Sequence, residues 1–341
     1  MAEDFGLLGE LCECSGIPGR EGRLREIVLR ELEPLVDAVE VDKLGNVVGH
    51  KKATKGRQPL KLMLAAHMDE IGFVVSHVDD RGLLRLVPLG GHDPRNMVAQ
   101  RVTVAGKRGD LTGILYPGVK PPHLQTAGDG EKKLAIPDFF VDLCLPPTRV
   151  KRDVEVGTMV TIQREFSEIG NGLSCKSIDN RVAIFVMIEA VRRAKFFGFD
   201  VYAVATVQEE IGLRGVGVST FGIEPDVGVA IDTTIAADIP GVPEHERVTA
   251  MGGGCDQADG LVGDLSPGPR CSDAQPGQTK ENQASARDSA ARGYGRRWDA
   301  ACSGRGARDH AVPPGEVYPH VSGTRGEGGR AGRDPVVECV H

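Results

Sequence analysis

The run "YAVATVQEEIGLRG" ends its apolar half in two adjacent carboxylates, Glu209 and Glu210. Neighbouring side chains on a regular strand point to opposite faces, so an acidic pair in mid-strand would drive one charge into the core. Both can serve one site only where the strand is ending, and the glycines of "GLRGVG" supply that stop. Three other places carry comparable chemistry: His67 and Asp69 in "LKLMLAAHMDE", Asp179 in "KSIDNR", and Asp232 at the end of "DVGVAID". Three of the four sites follow apolar strands. The carboxyl edge of an open α/β sheet is where such folds place their ligand crevices.

Histidine with several carboxylates is the ligand chemistry of hydrolytic zinc, cobalt or manganese. Two such ions about 3.5–4 Å apart activate a water between them. The His-x-Asp spacing has its own rationale: residues i and i+2 of an extended chain face the same way, so Asp69 is expected to accept the free ring N–H of His67 and set its tautomer. His50, His77, His92, His123 and His245 lie in polar, turn-rich text and are expected to be exposed rather than to bind metal.

The elements that must position these residues follow from periodicity. "REGRLREIVLRELEPLVDAV" places Leu24, Ile27, Val28, Leu32 and Leu35 at helical spacing. "VEVDKLGNVVGHKK" alternates about a Gly45-Asn46 turn, and "DNRVAIFVMIEAVRRAKFF" restores helical spacing before the "VYAVATV" strand. From Ile71 to about Phe166 the chain is rich in short Val-containing strands, beginning with a hairpin that turns at Asp80 to Gly82. The expected fold is an α/β mixed sheet with helices on both faces, split by a β-module: residues 1–70 and 166–254 form the core and 71–165 the insertion.

Net charge is −7 over 341 residues, which argues against nucleic acid or a polybasic membrane patch as partner. No apolar run reaches the 18 residues of a membrane span, and the first residues have no basic n-region, so a cytoplasmic protein is expected. Eight cysteines include no CxxC pair; Cys12 and Cys14 are expected to share a strand or loop as reduced thiols. From Cys255 to His341 there are two leucines and no Ile, Phe or Met. Such a segment cannot bury enough apolar surface to offset its ordering entropy, and a disordered tail is expected.

Six segments, "VDKLGNVV", "AAHMDEIGF", "GGHDPRNMVAQRV", "KSIDNR", "YAVATVQEEIGLRG" and "IDTTIAADIPGVPEHERV", closely resemble the tetrahedral aminopeptidases, metallopeptidase family forty-two, in order and spacing up to about Gly254. The resemblance implies an aminopeptidase with two divalent ions, zinc or cobalt foremost and manganese next, and a PDZ-like inserted domain. Its substrates would be short peptides with a free N-terminus. It implies self-association, from dimers to a twelve-subunit shell. By position, His67 and Asp232 would hold one metal, Asp179 would bridge both, Glu210 would hold the other and Glu209 would be the general base. Asn180 departs from the family, which usually has a second Asp there.

The larger departure is that the family's second metal-binding histidine, in text resembling "RYIHTPVE", and the "GGGTDAG" loop before it are absent. Codons allowed for residues 255–267 can spell "AIKLMDSSAISHP" one nucleotide later, those for 293–298 can spell "GTDAGG", and those for 316–327 can spell "RYIHTSVELVE". The missing His codon would straddle Pro319 and His320. Three family-like passages in one frame, in family order, point to a frame change near Gly252 to Cys255. The expected product is then impaired. The alternatives are a related metallo-amidohydrolase acting as a deacylase, and a non-catalytic oligomerising product of the frameshifted gene.

Overall fold

A computed structural model describes residues 5–54, 59–120, 122–124, 133–170, 172–195, 197–234 and 240–243. The tail expected to be disordered and out of frame, residues 255–341, lies outside the described residues, as does His245.

Five strands form the central sheet: β1 (Ala38–Val41), β2 (Val47–Lys51), β3 (Lys61–His67), β12 (Asp200–Thr206) and β13 (Val227–Ala230), in the order β1-β2-β12-β3-β13. β12 and β13 run parallel to β3, while β2 lies antiparallel to both β1 and β12. The sheet is therefore mixed. Helices α1 (Gly6–Glu13), α2 (Gly22–Leu32) and α4 (Ile178–Arg193) cover one face, and α5 (Arg214–Ile223) packs on the other.

Alternation along the strands assigns the two cores. Val47, Ala66, Ala203 and Ala205 meet Leu24, Val28 and Leu32 of α2 and Ile184, Met187 and Ile188 of α4. Their sequence neighbours Val48, Ala65 and Val204 join Val216 and Ile223 of α5 on the opposite face. The small alanines let the helices approach the sheet closely. Leu24, Val28 and Leu32 are fully buried on α2, as their spacing of four predicts.

Between β3 and α4 the chain builds a closed barrel from β4 (Gly72–Val78), β5 (Leu84–Leu89), β6 (Arg101–Gly106), β7 (Gly109–Pro117), β8 (Phe139–Asp142) and β9 (Met159–Ile162). Its strands pair antiparallel throughout, in the order β4-β5-β8-β7-β6-β9, and β9 closes onto β4. Phe73, Val75, Leu84, Val102, Val104, Leu115, Phe139, Val141 and Val160 fill the interior. Helix α3 (Pro147–Asp153) contributes Val150 to the same core. A short hairpin of β10 (Ser167–Ile169) and β11 (Gly172–Ser174) leads back to α4.

The barrel is tied to the sheet domain at its base. Gly72 is pinned there, since a Cβ on it would lie 2.4 Å from Ile17 Cγ2 and 2.9 Å from the Val160 carbonyl. Ser15 Oγ and Thr161 Oγ1 share a hydrogen bond of 2.8 Å, and Arg23 pairs with Asp110 at 2.7 Å. No helix among the described residues is long and apolar enough to cross a membrane.

Two expectations need correction. Cys12 lies in helix α1 and Cys14 just beyond it, because Leu8, Leu11 and Cys12 supply an apolar helix face. His50 and His92 are half-buried rather than exposed. His50 stacks on Tyr202 with centroids 4.4 Å apart, and His92 stacks on Phe73 at 4.1 Å, their ring faces covering neighbouring aromatic surface.

Candidate metal centre

The parallel register brings the chemistry together. Thr206, the last residue of β12, lies opposite His67, the last of β3, and Ala230 of β13 lies opposite Ala65. Two residues beyond Ala230, Asp232 reaches the level of His67. Asp179 enters from the first turn of α4, where its φ/ψ departs from helical values and the Asp179–Asn180 peptide is cis.

His67 is buried and its Nε2 is the hub: Asp179 Oδ1 lies 3.3 Å away, Glu209 Oε2 3.8 Å and Asp232 Oδ1 3.8 Å. Two sets of three potential ligand atoms lie within 4.8 Å of one another, His67–Asp179–Asp232 and His67–Glu209–Glu210. The structure thus brings together in these sets five of the six side chains singled out from segment ends, all but Asp69. His67 is the one imidazole in these sets among the described residues.

Asp69 behaves differently from the expected His-x-Asp pair. His67 Nδ1 lies 3.0 Å from the Asp69 backbone carbonyl, whereas the Asp69 carboxylate is 3.6 Å away. The carbonyl sets the ring orientation because Asp69, fully buried, turns its two oxygens to the backbone N–H groups of Glu209 and Glu210, each at 3.0 Å. One side chain thereby stands beside the histidine and holds the acidic corner.

The site is a concentration of negative charge out of water. Burial pushes the Glu210 carboxyl up to about 8; His67 opposes this, while Asp179, Glu209 and Asp69 add to it. Burial likewise raises Asp232 to about 6, against the pull of His67. Burial disfavours the charged imidazole, yet the Asp179 and Asp69 carboxylates hold the His67 proton well above the ordinary imidazole range. Among the described residues no lysine or arginine pairs with Asp179, Glu210 or Asp232. A donor set of one imidazole and four carboxyl groups with a deficit of positive charge fits divalent cations.

Several supporting residues escaped the spacing argument. Asn46, fully buried, accepts the Val207 N–H at 2.9 Å and donates to the Gly215 carbonyl at 2.9 Å, fixing the exit of β12 against α5. Glu70, Lys176 and Arg181 form a buried ionic cluster behind the site: Lys176 Nζ lies 2.5 Å from Glu70 Oε1, and Arg181 donates to the carbonyls of Leu11 and Cys14 at 2.9 and 3.2 Å. Asn180 donates through Nδ2 to the Ile231 carbonyl at 2.9 Å, joining the start of α4 to the residue before Asp232. An ionised carboxylate there would have no proton to donate. Glu70, Lys176, Asn180 and Arg181 stand beside site residues in "HMDE" and "KSIDNR", whereas Asn46 in "LGNVV" has no site residue near it in sequence.

Comparison with known proteins points to one family. The family model described as M42 glutamyl aminopeptidase matches residues 45–258. The lysyl aminopeptidase of Pyrococcus furiosus is 37% identical over 238 residues, 68% of this chain and 67% of that protein. The solved aminopeptidase of the archaeon Desulfurococcus kamchatkensis superposes with a TM-score of 0.68 at 39% identity, covering 73% of this chain and 68% of that one. The TET1 peptidase of Pyrococcus horikoshii, described as assembling into a tetrahedron or a large octahedral shell, gives 0.60 at 27% identity over 69% and 72% of the two chains. The family model spans more than half of the chain and the Pyrococcus furiosus relative is 37% identical over 68% of it, and on this ground the chain belongs to the M42 glutamyl aminopeptidase family.

Proposed function

We propose that the chain is built as a metal-dependent aminopeptidase that removes N-terminal residues from short peptides. The observation that carries this is the convergence of Asp179, Glu209 and Asp232 on His67 Nε2 at one sheet edge. His67 and Asp232 would hold one divalent ion, Asp179 would be shared, and Glu210 would hold a second. When bound, zinc, cobalt or manganese would supply Lewis acidity toward the scissile carbonyl and the attacking water. Glu209, beside Glu210 and 3.8 Å from His67, would take the water's proton and pass it to the leaving amine. The adjacency of the two glutamates thus serves two roles, one holding metal and one moving a proton.

A specific observation favours impairment. Among the described residues the His67–Glu209–Glu210 set has no second imidazole, and the family resemblance assigns that ligand to text absent from this chain. The chain as written would load its His67–Asp179–Asp232 set and turn over little peptide, whereas a chain reframed after about Gly254 would recover both. The chain would self-associate, as the Pyrococcus horikoshii peptidase is described as doing, and the inserted barrel would carry that contact. The test is metal content per chain, together with release of amino acids from unblocked but not N-acetylated peptides, for both forms. Equal activity on the acetylated substrates would favour a deacylase, and zero metal in the reframed chain would refute the site.

A further inference from the structure

Past Thr206 the chain leaves the β12–β3 ladder, and three consecutive N–H groups, of Gln208, Glu209 and Glu210, must find acceptors elsewhere. Asp69 takes the last two. The first is taken by Glu21, whose Oε1 accepts from Gln208 N at 3.2 Å and from Gly19 N at 2.8 Å. Gln208 has φ +57°, a left-handed conformation that a residue with a Cβ adopts at a cost and that must be held from outside. Glu21 occupies the N-cap position of α2, where an acidic side chain normally serves its own helix, yet its side chain makes no capping hydrogen bond there. It reaches instead across 187 residues of chain. It is only 2% exposed, and among the described residues no cationic side chain pairs with it, an expensive placement for a carboxyl group. Burial, the leading influence, pushes its pKa up.

We propose that Glu21 is a positioning residue for the site: by holding Gln208 in its left-handed turn it aims Glu209 and Glu210 at His67. This rests on the metal-site reading above. A small rotation at Gln208 would swing both carboxylates away from the sets they complete, and outer partners of this kind are worth about tenfold or more in metal affinity.

Glu21→Asp gives the decisive comparison, because Asp is a strong helix N-cap but one methylene too short to reach Gln208. In the metal-free full chain, Glu21→Asp should speed amide exchange across residues 207–213 by about tenfold. Exchange across 61–67 and the melting temperature should stay near the parent. In the chain reframed after about Gly254, affinity for the second Co²⁺, at the His67–Glu209–Glu210 set, should fall by about tenfold, and Glu21→Gln, which keeps an acceptor oxygen at full reach, should restore most of both. Unchanged exchange at 207–213 would overturn the proposal whatever the metal does. Faster exchange with unchanged Co²⁺ affinity would overturn it too, leaving Glu21 a merely structural residue. If the parent chain bound no Co²⁺, the metal-site reading would fall, while the exchange comparison would still decide whether Glu21 holds the corner.

Discussion

Glu209 and Glu210 share a corner but not an environment. Glu210 is raised to about 8 by burial, and both lie in a set with His67. The division of labour proposed for them leads to a direct test on a chain with a complete ligand set. Glu209→Gln keeps size and an acceptor oxygen but cannot take a proton, so turnover should fall by about a hundredfold or more with metal content unchanged. Asp179→Ala should lose both metals, read as metal per chain after dialysis. Full activity in Glu209→Gln would show that the base lies elsewhere. At this scale the sequence was informative because His67, Glu209, Glu210 and Asp232 follow apolar strands while Asp179 opens a helix, and residue type alone restricts their chemistry. It did not show that Asp69 would turn its oxygens to backbone N–H groups 140 and 141 residues away.

The elements hold these residues through a few tight approaches. Gly215 opens α5 beneath the β12 exit, and a Cβ there would lie 2.4 Å from both Asn46 Oδ1 and the Val207 carbonyl, neither of which can move without breaking the corner. Gly215→Ala should therefore cost about 1–3 kcal/mol in urea unfolding and weaken metal binding as well. In the barrel, Asp153 is buried at the end of α3, within 2.8 Å of Arg108 and 3.1 Å of Arg152. These guanidinium groups hold its carboxyl well below the usual range. A depressed carboxyl contributes stability above its unfolded pKa of about 3.9 and loses it as pH falls toward the folded value. Asp153→Asn should accordingly melt lower than the parent at pH 7, with the gap narrowing below about pH 4 in calorimetry; a gap independent of pH would rule the ion cluster out. Helix α2 and the β4–β5 hairpin were legible because their periodicities are local. The closure of β9 onto β4 was not, since alternation shows that a strand has two faces without showing which edge it meets.

For the whole molecule, the sheet domain carries the site and the barrel stands inserted between β3 and α4. If the barrel is the assembly module, replacing residues 71–165 by a short linker should leave a folded core that elutes as a small species in gel filtration with light scattering. A persistent large oligomer would move the interface to the sheet domain. The sequence by itself determined the residue types of the candidate site, their place at segment ends, the apolar faces of the helices and the family, because these depend on residue chemistry and short-range spacing. Tertiary structure alone decided that the parallel register sets Thr206 level with His67, and that the β-rich interval closes into a barrel. It also decided that Glu21, Asn46 and Asp69 hold the strand exit across 187, 161 and 140 residues of chain. Each of these pairs a buried polar group with a backbone group distant in sequence. Every such group must find some partner when water is excluded, but which partner it finds is set only by how the sheet and helices pack.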